Sequence, residues 1–148
     1  MSIAIACDIV VAAETTRFMV AYTRAGLVPD GSSTYFLPRI IGLKRALELT
    51  LTNRMFSAQE ALQWGLVTRV VPENELLVQA KALAIQLASG PTRAYGLSKR
   101  LFHSGWTETL ETQMENESQA IANSARTRDA REGITAFLEK RSPKFTGQ

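Results

Sequence analysis

The chain offers few side chains that could act as nucleophiles, bases or metal ligands. It holds a single cysteine, Cys7, and a single histidine, His103. One of each cannot build a Cys/His zinc site, and one cysteine cannot form an intrachain disulfide. His103 lies in a polar, helix-like segment far from any strand-turn signal, which disfavours a Ser-His-acid triad. The best remaining candidate for a catalytic group is therefore a carboxylate.

Among the 14 Asp and Glu residues, Asp30 has distinctive surroundings. It lies in the Gly/Pro/Ser-rich turn 26–33, just before a predicted helix, with apolar residues on both sides. A carboxylate there can point into a pocket with apolar walls, where desolvation favours the neutral acid and suits a group that shuttles protons. The alternative is an ordinary Pro-Asp-Gly turn in which Asp30 has only a structural role. Nearly all the other carboxylates, Asp129 and Glu132 among them, are interpreted as members of solvated helix faces or as partners of helix N-terminal dipoles.

The remaining reactive or aromatic side chains favour structural interpretations. Cys7 has no base near it in sequence and is interpreted as a small buried hydrophobic residue. We expect His103 on the surface, and we expect Trp64 and Trp106 to pack between helices. Tyr22 lies where the chain leaves a predicted strand, and packing is its default interpretation.

Length, composition and charge are those of an ordinary globular domain. The chain has 148 residues, of which 45% are hydrophobic, and no apolar run reaches the roughly 18 residues of a membrane span. No secretory signal pattern is present, so we expect a cytoplasmic protein without a membrane partner. The formal net charge is only +3, and no aromatic residues interleave with the basic residues near the C-terminus, which disfavours a nucleic-acid partner.

The predicted elements change from strand to helix along the chain. Strands are predicted at 9–12, 18–21 and 66–71. Helices are predicted at 34–41, 43–51, 91–103, 108–124 and 129–140, and also after the capping box Ser57-Ala-Gln-Glu60 and after Pro72. Because so few strands form a marginal sheet, we expect further strands from a missing N-terminal part or another subunit.

An ordered series of short motifs resembles the enoyl-CoA hydratase/isomerase, or crotonase, superfamily. The series includes Ala6-Cys-Asp8, Gly26-Leu-Val-Pro29, Leu37-Pro-Arg39, Ser57-Ala-Gln-Glu-Ala61, Gly65-Leu-Val67, Val70-Val-Pro72 and Arg131-Glu-Gly-Ile-Thr-Ala-Phe-Leu-Glu-Lys-Arg141. No single motif is specific, but their order and spacing match the C-terminal portion of a family member from Ser2 to Phe145.

The resemblance implies an α/β fold: the C-terminal part of a spiral of ββα units, residues 1–88, followed by a helical trimerisation region, residues 89–148. It implies an acyl-CoA thioester as substrate and a homo-oligomer, a trimer or hexamer, as the assembly. Coenzyme A then enters as part of the substrate, with no separate cofactor and no metal. The family's two oxyanion-hole N–H donors are placed before Met1, so we expect a truncated chain that lacks them.

The same resemblance bears on the reaction. Hydratases of the family carry two glutamates at the positions that match Ser2 and Tyr22, which disfavours simple hydration. Asp30 matches an aspartate that moves protons in the family's dienoyl-CoA and phenylacetate-pathway isomerases and acts as a nucleophile in its aryl-CoA dehalogenases. The sequence therefore favours an isomerase with Asp30 as the catalytic residue. The alternatives are a hydratase-like enzyme, a thioester hydrolase, and an inactive assembly module.

Three further residues are candidates for substrate binding. In several family members, the residues that match Phe137 and Lys140 help to build the coenzyme A nucleotide site of a neighbouring subunit. Phe137 would cover the adenine and Lys140 would meet a phosphate. The alternative is an amphipathic helix with Phe137 in the core and Lys140 in solvent. Tyr22, at one of the two glutamate positions, is the third candidate.

Overall fold

The computed structural model describes all 148 residues, and most of them are helical. The elements in chain order are α1 (Ser2–Ile5), β1 (Val11–Ala13), β2 (Arg17–Phe18), α2 (Ser33–Ile41), α3 (Leu43–Thr52), β3 (Phe56–Ser57), α4 (Ala58–Gln63), β4 (Arg69–Val71), α5 (Leu76–Ala88), α6 (Thr92–Ser104), α7 (Leu110–Ala125) and α8 (Arg128–Leu138), with 3-10 turns at Thr23–Ala25 and Glu73–Glu75. The chain divides into two compact units, Met1–Ala80 and Lys81–Gln148. None of the helices combines the length and apolar character that a membrane span requires.

Two pairs of short strands organise the first unit. β1 and β4 run parallel, with Ala12 opposite Val70. β2 and β3 run antiparallel, with Phe18 opposite Phe56. Strands were predicted at three of these four places, and only β3 was missed, because a two-residue strand is too short to carry a periodic pattern.

The strand boundaries differ from the predicted ones at several points. The strand predicted over 18–21 ends at Phe18, because its partner β3 offers only two residues, Phe56 and Ser57, for pairing. The N-terminal residues form the single helical turn α1, whose N-cap, Met1, makes no side-chain capping bond. Neither length nor a capping residue could signal this helix in the sequence.

The apolar core of the first unit lies among β1, β2, β3 and the helices α1 to α4. The Phe56 ring is fully buried and stacks on Phe18, with ring centroids 5.5 Å apart. Trp64 closes the same cluster, with its ring centroid 5.2 Å from that of Phe56. Trp64 therefore packs as expected, and Phe56 anchors the strand pair to the helices.

The capping box predicted before α4 is confirmed. The Ser57 hydroxyl accepts a hydrogen bond from the Glu60 N–H, and the Glu60 carboxylate accepts one from the Ser57 N–H at 2.9 Å. These two bonds satisfy N–H groups that the first turn of a helix leaves free. The Ser57 N–H, and after it the Arg54 guanidinium, hold the pKa of the Glu60 carboxyl below its ordinary value.

The second unit contains α6, α7 and α8, close to the predicted ranges. Thr109 and Thr127 cap α7 and α8 with their side-chain oxygens. Gln113 on α7 donates from Nε2 to the Leu101 carbonyl oxygen on α6 at 2.9 Å. The helix predicted over 129–140 ends at Leu138, because Lys140 adopts a left-handed conformation with φ +54°.

The division predicted at residues 88/89 falls at the C-terminal end of α5, the helix that runs through the boundary of the two compact units. The assignment of residues 1–88 to the ββα spiral and of residues 89–148 to a trimerisation region stays a prediction.

Candidate active site

The turn that carries Asp30 is built from residues with unusual backbone conformations. Gly31 and Ser32 both have positive φ angles, +57° and +61°, which reverse the chain immediately before α2. Ser33 then donates twice to the Asp30 carbonyl oxygen, from its N–H at 3.1 Å and from its buried hydroxyl at 2.6 Å. The backbone of Asp30 is thus fixed by the first residue of the following helix.

The side chains of Ser2, Tyr22 and Asp30 form one hydrogen-bond chain. The Tyr22 hydroxyl donates to Asp30 Oδ1 at 2.5 Å. Ser2 Oγ lies 2.9 Å from the same tyrosine oxygen. Since the single hydroxyl hydrogen of Tyr22 points to the carboxylate, Ser2 donates to Tyr22. Three positions that the sequence separates therefore meet at one point of the first unit.

Each member of this chain is held by a different element. Ser2 belongs to α1 and is only 6% exposed, whereas Tyr22 is half-buried and directly precedes the 3-10 turn Thr23–Ala25. Asp30 lies in the loop that leads into α2 and is exposed. The carboxylate is therefore accessible while its neighbours are anchored in the fold.

The apolar residues that precede Asp30 do not form the pocket wall that we expected around its carboxylate. Leu27 and Val28 are exposed, as is Asp30 itself. The expectation was wrong for Leu27 and Val28, because this part of the loop lies at the surface of the unit instead of folding over the carboxylate.

An apolar cavity of about 190 Å³ does lie beside the turn. Pro29 and Ser33, on either side of Asp30, contribute to its lining, together with Val20 from the first unit's core and Leu37 and Leu47 from α2 and α3. Its lining can accept an apolar group but offers little for a charged one.

The other two predicted binding residues, Phe137 and Lys140, belong to the second unit. Phe137 is 82% exposed on α8, so the alternative in which it lies in the core is wrong. Lys140 is also exposed, in the turn after α8. Of the predicted site residues, Tyr22 therefore contacts Asp30 within the first unit. Phe137 and Lys140 are both exposed and belong to the second unit.

Two carboxylates interpreted as solvated have specific partners. Asp129 is only 4% exposed and accepts hydrogen bonds from the N–H groups of Thr146 at 2.7 Å and Gly147 at 2.8 Å. Glu132 receives two bonds from the Arg141 guanidinium, at 2.6 and 3.0 Å. Asp129 does lie in the first turn of α8, where a carboxylate meets the helix dipole. The interpretation of both residues as part of a solvated face was wrong, because the C-terminal segment returns to α8.

The Glu132 pair has a clear electrostatic consequence. The Arg141 guanidinium, and after it the Lys144 N–H, lower the pKa of the Glu132 carboxyl to about 2. The carboxylate in turn raises the pKa of Arg141. The ion pair joins α8 to Arg141, the residue that directly follows Lys140.

The remaining reactive side chains differ in how well they were predicted. Cys7 is exposed, and its thiol donates to the Ile3 carbonyl oxygen at 3.3 Å. Its interpretation as buried was wrong because it follows α1, at the surface of the unit. His103 is exposed as expected. The role that sequence reasoning missed is that of Ser2, whose only signal was its match to a glutamate position.

Comparison with known proteins gives the context for this geometry. The sequence model described as "Enoyl-CoA hydratase/isomerase" matches residues 1–148. The 1,2-epoxyphenylacetyl-CoA isomerase of Escherichia coli K12 is 42% identical over 147 residues, which cover 99% of this chain and 56% of that protein. The 4-chlorobenzoyl coenzyme A dehalogenase-1 of an Arthrobacter species is 37% identical over 140 residues, which cover 95% and 51%.

Similarity to solved structures points to the same family as the sequence comparisons. The crystal structure of an enoyl-CoA hydratase from Polaromonas sp. JS666 matches with a TM-score of 0.93 at 34% identity, covering 98% of this chain and 56% of that one. The chain therefore spans about half the length of the relatives it matches. The names of these three relatives cover an isomerase, a dehalogenase and a hydratase, so the similarity establishes the fold and the family but not the reaction. Because the family's sequence model matches this chain from residue 1 to residue 148, the chain belongs to the enoyl-CoA hydratase/isomerase family, the crotonase superfamily.

Proposed function

We propose that the protein is an isomerase that moves a proton, and with it a double bond, within an enoyl- or ring-derived coenzyme A thioester. The observation that carries the proposal is the composition of the hydrogen-bonded cluster. Of Ser2, Tyr22 and Asp30, only Asp30 has a carboxylate, and that carboxylate is accessible on a fixed turn. One accessible base suits a proton transfer between two carbons of the same substrate.

The proposed reaction needs no other reactant. The thioester makes the proton on its neighbouring carbon acidic, and one Asp30 oxygen takes that proton, which leaves an enolate and a neutral carboxylic acid. The conjugated system moves its electron pair, and Asp30 returns the proton to a different carbon. The product is an isomer of the substrate, and the carboxylate is regenerated.

The rest of the proposed site comes from the family resemblance. In the family that the chain resembles, two backbone N–H donors hold the enolate oxygen, and such donors contribute about 3–4 kcal/mol each. The apolar cavity beside Pro29 and Ser33 supports an apolar acyl or aryl group close to the base. Phe137 and Lys140 would bind the nucleotide end of coenzyme A in a trimer or hexamer.

The test is Asp30→Asn in the protein expressed from its complete reading frame, assayed with a panel of enoyl-, dienoyl- and ring-derived thioesters. We expect the wild type to yield a product of unchanged mass with a displaced double bond. The substitution keeps the size of the side chain and removes the base, so turnover falls by about 10²–10⁴-fold. Glu14→Gln, which removes an exposed carboxylate after β1, is the matched control.

Each alternative function has its own product. Addition of one water to the substrate identifies a hydratase, and release of the free coenzyme A thiol identifies a thioester hydrolase. A folded protein without turnover on any thioester identifies an assembly module. Full isomerase turnover in Asp30→Asn would remove Asp30 from the mechanism.

A further inference from the structure

We propose that Tyr22 is a positioning residue for Asp30, and that the hydroxyl of Ser2 fixes the direction in which Tyr22 donates. This inference rests on the proposed function, because it concerns how Asp30 acts as a base. It assigns a role to Ser2 and Tyr22, the two positions that match glutamates in the family's hydratases. It is carried by the hydrogen-bond chain Ser2–Tyr22–Asp30 and by the bonds that hold Tyr22 and the Asp30 backbone in place.

The first step is the direction of the hydrogen bonds. At 2.5 Å, the bond in which the Tyr22 hydroxyl donates to Asp30 Oδ1 is a short O–H···O hydrogen bond. Because a tyrosine has one hydroxyl hydrogen, Ser2 must supply the hydrogen of the 2.9 Å contact with Tyr22. Both hydroxyl groups therefore donate in the direction of Asp30.

The second step is the orientation of the carboxylate. An exposed aspartate on a surface loop can rotate about two side-chain bonds. Here Ser33 fixes its carbonyl oxygen, and Tyr22 fixes Oδ1. With Oδ1 occupied, Oδ2 remains as the oxygen that faces a substrate carbon. A base that is already held in the reactive orientation reacts faster than one that rotates freely. The entropy cost of orienting its side chain is met in folding, before the substrate binds.

The third step is the support of Tyr22 itself. Thr23, the next residue, donates from Oγ1 to the Thr50 carbonyl oxygen at 2.5 Å. Asn53, at the C-terminus of α3, donates to Thr23 Oγ1 at 2.9 Å and accepts from the Arg24 N–H at 3.0 Å. Tyr22 therefore directly precedes a backbone turn that is hydrogen-bonded to α3. A positioning group needs such rigid support.

The test combines Tyr22→Phe, Ser2→Ala and Asp30→Asn in the protein expressed from its complete reading frame. Tyr22→Phe removes only the hydroxyl group, and we expect kcat to fall by about ten- to a hundredfold while KM changes less than about twofold. Ser2→Ala lowers kcat in the same direction by a smaller factor. Tyr95→Phe, in the second unit, controls for loss of a tyrosine hydroxyl elsewhere.

Two readouts separate positioning from a general structural effect. Tyr22→Phe added to Asp30→Asn causes no further loss of turnover, because the tyrosine acts through the aspartate. In a crystal structure of Tyr22→Phe, the Asp30 side chain leaves its single orientation while its backbone turn stays unchanged. The crystal structure decides the question even where Asp30→Asn has no measurable turnover.

The outcomes also separate this inference from the proposed function. Undiminished kcat in Tyr22→Phe, or an unmoved Asp30 side chain in its crystal structure, overturns the inference and leaves Asp30 as the proposed base. Undiminished turnover in Asp30→Asn overturns both. A fall in kcat that is accompanied by an equal fall in the fraction of folded protein, measured by thermal unfolding, also counts against the inference.

Discussion

Gly31 lies directly against Ser2: a β-carbon added to the glycine would come within 3.0 Å of the serine β-carbon. This contact brings the Asp30 turn onto α1, next to the hydroxyl that bonds Tyr22. Gly31 also has a φ angle of +57°, a conformation that side chains with a β-carbon disfavour. Two independent constraints therefore require glycine at this position.

Gly31→Ala is the first prediction that follows. The substitution introduces backbone strain and pushes Ser2 away, so we expect the free energy of unfolding to fall by about 1–3 kcal/mol. Denaturant unfolding measures this loss. Gly96→Ala is the control, since Gly96 lies inside α6 with open space around it and alanine there should stabilise the helix by about 0.5–1 kcal/mol. Equal stability of Gly31→Ala and the wild type would contradict the close approach.

Asn53 gives the second prediction. It adopts a left-handed conformation, with φ +53°, at the end of α3 and bonds both Thr23 and Arg24. Asn53→Ala loses these bonds and adds strain, so we expect a loss of about 2–3 kcal/mol in the free energy of unfolding. Asn53→Gly loses the bonds without the strain and should be destabilised by about 1 kcal/mol less. Thermal unfolding compares the two, and equal stabilities would show that the left-handed conformation carries no cost.

Lys140 gives the third prediction, which tests its proposed contact with a coenzyme A phosphate. Loss of one charged hydrogen bond, about 1.5–3 kcal/mol, corresponds to a rise of about ten- to a hundredfold in KM for a coenzyme A thioester. We expect Lys140→Gly to show this rise, since glycine also accepts the φ angle of +54°. The KM for the matching N-acetylcysteamine thioester, which lacks the nucleotide, should stay unchanged. An equal rise for both thioesters would remove the phosphate contact.

The features that the sequence predicted well are those encoded by neighbouring residues. The Ser57 capping box and the turn that carries Asp30 each depend on residues within a few positions of one another. Their chemistry is therefore visible in a short window of sequence. The residues around Asp30 did not by themselves distinguish a catalytic aspartate from one in an ordinary Pro-Asp-Gly turn. The resemblance to the family is what favoured the catalytic role.

The features that escaped prediction are contacts between distant residues. The Ser2 and Tyr22 hydroxyls are 20 positions apart, and Asp129 and Thr146 are 17 apart. The hydrophobic periodicity of the sequence does not predict such pairs, because only tertiary packing brings the two residues together. For the same reason the exposure of the Asp30 loop could not be read from its apolar neighbours, which lie at the surface of the unit.

The Glu132–Arg141 pair provides the last prediction, a pH dependence of stability. The pKa of Glu132 is about 2 in the folded chain, against an ordinary value of 4.5, and the Arg141 bonds are its largest cause. A lowered folded-state pKa means that the pair stabilises the fold fully above about pH 4.5. This contribution is lost progressively as the pH falls toward about 2.

Glu132→Gln removes this contribution at every pH. We therefore expect the stability difference between wild type and Glu132→Gln to be largest near neutral pH and to shrink as the pH falls from about 4.5 toward 2. Denaturant unfolding over this range measures the difference, and Glu117→Gln controls for the loss of one exposed negative charge. A difference that stays constant over the range would show that Glu132 does not bind Arg141 as a carboxylate.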